Sequence, residues 1–290
     1  MNVPKNLMLS KETSEESSTE RLAEFIQAHQ PLVVITGAGC SAASGIPTYR
    51  DDDGTWQRST PIQHQDFVSQ PESRQRYWAR SLAGWPAVAR AQPNETHLAI
   101  KTLEDNQLCA LVVTQNVDRL HQRSGQQAVI DLHGRLDRVH CLDCHHEISR
   151  DDMQIRLMDE NPHLPTVTTQ QAPDGDADIP DNLIETVHVP DCDHCGGMLK
   201  PTVVFYGGGV SKLVVDRIFD AIDQASGVLV VGSSLMVFSS FRFCRHAAKR
   251  GLPIAIVNAG KTRADDLATF KLDTACEIAL PAAVQLLTNE

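Results

Sequence analysis

The feature that most constrains this chain is a set of short apolar runs, rich in β-branched residues, that recur with helical-length stretches between them. "LVVIT" (32–36), "LCALVVT" (108–114), "AVIDL" (128–132), "TVVF" (202–205), "GVLVVG" (227–232) and "PIAIV" (253–257) show no polar alternation. A strand with one wet face alternates apolar and polar residues, so runs of this texture predict strands buried on both faces. Helical stretches lie at 96–105, 211–225 and 239–250. Ser17 to Glu20 fits a capping box ahead of "ERLAEFIQAH", which sets Leu22, Phe25 and Ile26 on one face. Strands alternating with helices predict an α/β fold with a mostly parallel sheet covered on both faces.

Residues 141–195 break that rhythm. The segment opens with Cys141-x-x-Cys144 and closes with Cys192-x-x-Cys195. Between them lies "NPHLPTVTTQQAPDGDADIP", rich in Pro, Asp and Thr. It reads as a module inserted between "AVIDL" and "TVVF". A C-x-x-C turn brings two thiolates to neighbouring vertices of a tetrahedron, and two such turns close an S4 site for one structural Zn2+ per chain. A redox dithiol would occur once, opening a helix, rather than twice around a loop-rich insert. The other four cysteines, Cys40, Cys109, Cys244 and Cys276, stand singly in apolar or glycine-rich stretches and are expected to be buried.

The first apolar run leads directly into Gly37-x-Gly39-x-x-Ala42, the spacing of the dinucleotide fingerprint. The missing Cβ atoms let backbone N–H groups approach a diphosphate, although the same turn can simply pack a helix on a strand. The acid that usually binds the ribose about 20 residues further on is absent, since Asp51 to Asp53 come too early. An ordinary dehydrogenase is therefore not indicated. Polar residues also leave other strands: "VTQNVDRLHQRSG" after the second, "DLHG" after the third, and "VVGSSL" and "VNAG" further on. Each could be an ordinary helix cap, but together they point to one crevice at the carboxyl ends of a parallel sheet.

Composition limits the partners. The 290 residues suffice for a large core plus a module, and the formal net charge of −11 argues against nucleic acid and anionic membrane surfaces. No apolar run reaches the length of a membrane span. The polar, acidic N-terminus has neither a secretion signal nor a transit peptide, so the expected location is cytoplasmic, with an organellar matrix as the eukaryotic alternative.

"GAGCSAASGIPTYR", "TQNVD", "DLHG", the two cysteine pairs, "KPTVVFYG", "VGSSL" and "NAG" occur in this order between about residues 20 and 285. Together they resemble the sirtuin family of NAD-dependent protein-lysine deacylases. "CLDC", "APDGD" and "TRADDLA" are most similar to its class II, sirtuin-4-type branch. The resemblance implies a Rossmann-like NAD-binding domain from 19–134 and 200–290, after a flexible stretch at 1–18. A small zinc-binding domain at 135–199 would be completed by a helical segment within 45–95. NAD would be consumed as a co-substrate, and the partners would be acyl-lysine proteins or peptides.

The same resemblance implies residue roles. His133 matches the general base that deprotonates a ribose hydroxyl, a task suited to an imidazole. Asn116, with Gln115 and Asp118, matches the group that holds the nicotinamide and its ribose. The glycine turn would contribute Gly37, Ala38, Gly39, Ser41 and Ala42 to the cofactor. Thr48, Tyr49 and Arg50 match the loop over the nicotinamide ribose. Gly232, Ser233 and Ser234 resemble the ribose and phosphate contacts, and Asn258, Gly260 and Cys276 the adenosine contacts. Val204 falls on the peptide-binding edge. Tyr77-x-x-Arg80 has the spacing of a pair that reads acidic acyl groups, or else lies on a solvated helix face. Two departures stand out: Thr48 follows the "GIP" turn where an Asp is common, and "FYGGG" stands where "FFGE" is common. The alternatives are mono-ADP-ribosyl transfer, which shares the first bond cleavage, and a non-catalytic NAD-sensing zinc scaffold.

Overall fold

The computed structural model describes residues 18–49, 61–164, 171–172 and 175–288. The expectations for the N-terminal stretch, for Arg50 and for Asp51 to Asp53 lie outside the described residues. Helix α1 (18–28) precedes β1 (Leu32–Thr36), α2 (Gly39–Ala42), α3 (His64–Ser69), α4 (Pro71–Arg90) and α5 (Glu95–Asp105). There follow β2 (Cys109–Thr114), α6 (Leu120–Arg123), β3 (Val129–Asp131), β4 (Gly134–Cys141), β5 (Glu147–Ser149) and α7 (Arg150–Glu160). Next come β6 (Gln171–Ala172), β7 (Asp176–Ala177), α8 (Asp181–Ile184), β8 (Leu199–Val203) and α9 (Lys212–Gln224). The chain continues through β9 (Gly227–Val231), α10 (Phe238–Lys249), β10 (Ile254–Val257), β11 (Phe270–Leu272) and α11 (Cys276–Thr288).

Six strands form one parallel sheet in the order β11-β10-β9-β1-β2-β3. The apolar runs follow from that position: β1 and β9 are buried at every residue. Alternate side chains serve opposite faces. Leu32 and Val34 pack with residues of α1, α5 and α11, whereas Val33 and Ile35 pack with residues of α9 and α10. A central strand covered by helices on both sides has no use for a polar residue until it ends.

One strand differs from the sequence reading. The run at 202–205 does not join the parallel sheet. Its residues 202 and 203 belong to β8, which pairs antiparallel with β4 in a separate three-stranded sheet, β5-β4-β8. An apolar run records burial, not the partner that provides it. That small sheet and α7 share a core with α3 and α4, where Phe67 and Trp78 pack with Val139, Met153, Leu157 and Leu199. The short β11, unmarked by any long apolar run, adds the outermost strand beside β10.

Candidate active site

Because the six strands are parallel, the loops after β1, β2, β3, β9 and β10 all open on the same edge of the sheet, where β-strand carboxyl ends make a crevice. The first of these loops answers a different demand from the one its glycines suggest. A Cβ on Gly39 would lie 2.8 Å from the Cα and O of Gly232, and one on Gly37 would lie 2.8 Å from the Ser233 side chain. The close approach is between the β1 and β9 loops themselves. The glycines let two backbones meet behind the crevice, and they line it as well.

The loop after β2 is held by its own side chains. Asn116 Nδ2 donates to Gly37 O and to Ser41 Oγ, both at 3.0 Å, so its two donor hydrogens are used and its Oδ1 is left for the crevice. Ser41 Oγ in turn donates to Asp118 Oδ2 at 2.6 Å, and Asp118 Oδ1 accepts the backbone N–H of Leu120 at 2.9 Å. Burial raises the Asp118 carboxyl above its ordinary range, while the Ser41 and Leu120 hydrogen bonds oppose the rise. Gln115 Nε2 donates to Thr36 O and to Ser233 Oγ, tying β2 to β1 and to the β9 loop. Arg119 adopts φ +67°, a left-handed conformation, and its guanidinium pairs with Asp131 at the end of β3. The second and third strand ends are thereby fixed to one another, two residues before His133.

His133 has one partner on each ring nitrogen: Nδ1 lies 3.1 Å from Gln115 O and Nε2 lies 2.7 Å from Ser239 Oγ. A carbonyl oxygen can only accept, so Nδ1 carries the hydrogen and Nε2 the lone pair. Burial lowers the imidazole to about 4, against the bond to Gln115 O and with help from the charge of Arg242, so the ring is neutral at physiological pH. The adjacent Ser240 donates to Gln115 Oε1 at 2.8 Å.

These groups surround a cleft of about 410 Å3, a volume that suits a small-molecule ligand. Gly37, Ala38, Gly39 and Ala42 line one side, with Thr48 and Tyr49 near them. Gln115, Asn116, His133 and Val204 form the next part of the wall, and Gly232, Ser233, Ser234, Asn258 and Cys276 the far part. Three residues expected at the ligand stand elsewhere. Ser41 and Asp118 border a small neighbouring recess, where they support Asn116. Gly260 donates its N–H to Asp273 and accepts from Lys271, so it shapes the loop after β10 without lining the cleft. Ser239, Met236 and Lys261 line the cleft without having been singled out. The available signal for Ser239 was a pair of serines at a helix start, which reads as capping. The N-cap is in fact Val237, and neither serine caps.

The four paired cysteines meet at one point, with all four sulfurs within 4.8 Å of one another. Cys141 and Cys195 are 3.5 Å apart and Cys144 and Cys192 are 3.8 Å apart. A tetrahedral site with Zn–S bonds of about 2.3 Å requires S–S separations of about 3.8 Å, so this donor set fits zinc with no position left for water. The other four cysteines are buried.

A family model described as the Sir2 family matches residues 37–239, which span the glycine turn, His133, both cysteine pairs and Ser239. The chain belongs to the Sir2 family, the sirtuins. Among curated sirtuins, it is 53% identical over 259 residues to an NAD-dependent protein deacetylase of Xanthomonas axonopodis pv. citri, covering 89% of this chain and 88% of that one. It is 49% identical over 263 residues to NAD-dependent protein deacetylase 2 of Bradyrhizobium diazoefficiens, covering 91% and 96%. Among solved sirtuin structures, one described as a Sir2 enzyme with p53 peptide and NAD+ superposes with a TM-score of 0.73 at 26% identity, covering 94% of this chain and 99% of that one.

Within the sirtuin frame, the pair expected to read acidic acyl groups stands apart from the cleft. Tyr77 and Arg80 do not line the cleft. Arg80 Nε and Nη2 are bound by Asp176 and Asp178 at 2.7 and 3.0 Å. Tyr77 packs among Phe67, Trp78 and Phe205, one ring behind the cleft wall that Phe205 lines. A guanidinium already holding two carboxylates is not presenting itself to a third. On the same helix Arg76 is exposed, whereas the Arg80 side chain is only 18% exposed. The departure at "FYGGG" sits against α3, where His64 N donates to Tyr206 O at 2.8 Å.

Proposed function

We propose that this sirtuin is an NAD-dependent protein-lysine deacylase that uses His133 as its general base and Asn116 to orient the nicotinamide end of NAD. The observation that carries the reading is the pairing of His133. Its Nδ1–H is committed to Gln115 O, which directs the Nε2 lone pair into the same cleft that the amides and glycine loops line. NAD, when bound, supplies an electrophilic ribose carbon with nicotinamide as its leaving group, so the acyl-lysine amide oxygen can be transferred onto it. The chain's own residues then have defined tasks. Asn116 Oδ1 accepts a hydrogen bond from the ligand, since both of its donors are held by the protein. His133 Nε2 takes the proton of a ribose hydroxyl as that oxygen attacks. The loops at 37–39 and 232–234 line the cleft and would face the diphosphate.

The cysteine cluster stands apart in the small sheet and, with its coordination closed, holds zinc in a structural capacity. Acylated proteins or peptides are the partners. The acidic net charge and the curated bacterial relatives support a cytoplasmic enzyme, and no helix among the described residues is long and apolar enough to cross a membrane.

The test is a panel of acyl-lysine peptides (acetyl, long-chain, glutaryl and methylglutaryl-type) incubated with NAD and followed by mass spectrometry. Deacylated peptide, nicotinamide and O-acyl-ADP-ribose in equal amounts support the reading. Nicotinamide release with the ADP-ribosyl mass retained on a protein acceptor would replace it with mono-ADP-ribosyl transfer. The same panel addresses the class II subtype and the acyl preference.

A further inference from the structure

The first turn of α10 carries two serines side by side, and both reach back to the residues that set the base. Ser239 Oγ lies 2.7 Å from His133 Nε2, and Ser240 Oγ donates at 2.8 Å to Oε1 of Gln115, the residue whose backbone oxygen holds Nδ1. Neither hydroxyl serves the helix as a cap, because the N-cap is Val237 and it makes no side-chain cap bond. Ser240 Oγ also lies 3.0 Å from Val237 O, a second acceptor competing for its single hydrogen, whereas the bond from Ser239 to the imidazole crosses from α10 to the loop after β3.

We propose that Ser239 is the positioning residue of the base: its hydroxyl donates to Nε2 of His133, holding the ring as the Nδ1–H tautomer with its lone pair toward the cleft until a substrate hydroxyl takes its place. The inference rests on His133 being the base. Its physical basis is the ring's two-sided pairing. The carbonyl on one side fixes which nitrogen is protonated, and the hydroxyl on the other occupies the remaining lone pair with a neutral donor. A donor on Nε2 also opposes protonation there, in the same direction as burial and the nearby Arg242. The facing Gln115 and Ser239 are uncharged, and the nearest acid before the base, Asp131, is paired with Arg119. An incoming ribose hydroxyl exchanges one O–H···N bond for another, so the resting contact sets the direction of approach without having to be broken at net loss.

The experiment compares the wild type, Ser239→Ala, Ser239→Thr and His133→Ala, all checked for folding by thermal melting. The readouts are the pH profile of kcat/KM with an acyl-peptide, and 15N NMR of histidine-labelled protein with the His133 signals assigned by difference against His133→Ala. In Ser239→Ala, the acid limb is expected to move up by roughly half to one pH unit, the equivalent of one neutral hydrogen bond. Ser239→Thr, which keeps the hydroxyl, is expected to return the limb toward its original position. The wild-type spectrum at neutral pH is expected to show Nδ1 protonated and Nε2 unprotonated, with the Nε2 signal displaced in Ser239→Ala. An unchanged limb and an unchanged His133 spectrum in Ser239→Ala, with His133→Ala inactive, would overturn the proposal while leaving the base in place. An active His133→Ala would remove the base reading, and this proposal with it. A wild-type ring protonated on Nε2 would overturn the proposal even if Ser239→Ala failed to fold.

Discussion

Asn116 sits where three demands meet. Its amide must satisfy the Gly37 carbonyl and the Ser41 hydroxyl, and it must do so beside the buried Asp118. Replacing Nδ2 by an oxygen in Asn116→Asp sets that oxygen against the Gly37 carbonyl and brings a second carboxylate close to the first. The variant is expected to lose about 2–4 kcal/mol of stability and at least ~100-fold in kcat/KM, read by melting and by peptide turnover. A stable, active Asn116→Asp would show that the Nδ2 contacts are dispensable. Arg80 teaches the complementary lesson. Its spacing from Tyr77 matched a ligand-binding pair, but two aspartates nearly a hundred positions away had already claimed its guanidinium. Spacing along one helix carries no information about such distant neighbours.

Among the elements, the contact that most depends on the absence of a side chain joins the β1 and β9 loops. The Cβ of Gly39→Ala would meet the Gly232 backbone at 2.8 Å, and backbone cannot rotate aside as a flexible side chain can. This substitution is expected to cost about 1–3 kcal/mol and to weaken NAD binding together with stability, measured by melting with and without NAD. Normal stability with unchanged NAD affinity would show that the loops yield freely. The sequence marked these glycines for close approach to a diphosphate or for packing a helix on a strand, whereas the neighbours that meet them in the structure are Gly232 and Ser233. The same holds for β8. Its apolar residues announced a strand, while its pairing with β4 in a separate antiparallel sheet followed from tertiary contacts alone.

For the whole molecule, buried imidazoles set the acid limit. Burial lowers His97 to about 4 and His121, with His97 beside it, to about 3; both are fully enclosed. Below pH 6.5 the unfolded chain binds protons that the native state refuses. Stability is therefore complete above about 6.5 and is lost as the pH falls from 6.5 toward 4, by an amount on the order of 3 kcal/mol per histidine. Melting temperature should fall steeply over that window. His97→Gln keeps a residue able to close the capping box with Asn94, and should flatten the slope. An unchanged slope would place the acid sensitivity elsewhere.

The zinc cluster connects the two sheets' fates, because β4 runs from Gly134, next to His133, to Cys141. One zinc per chain is expected by elemental analysis. Cys192→Ser or chelation should remove it, melt the small sheet and depress activity through the exit of His133. Full activity in a metal-free chain would separate the two units functionally.

What the sequence determined by itself is what short-range chemistry encodes. Buried parallel strands appear as unalternated apolar runs, their ends as sudden polar residues, and the metal site as two pairs of thiols at knuckle spacing. Polar residues where apolar runs stop pointed to a crevice, while the roles expected of His133, Asn116 and Ser233 came from the family resemblance. The tertiary structure decided which groups touch across the crevice. It gave Ser239 to His133, Asp118 to Ser41 rather than to the cleft wall, and Arg80 to Asp176 and Asp178. The physical reason is that hydrogen bonds and ion pairs act over about 3 Å, and chain segments far apart in sequence come that close only after the sheet has aligned its strand ends.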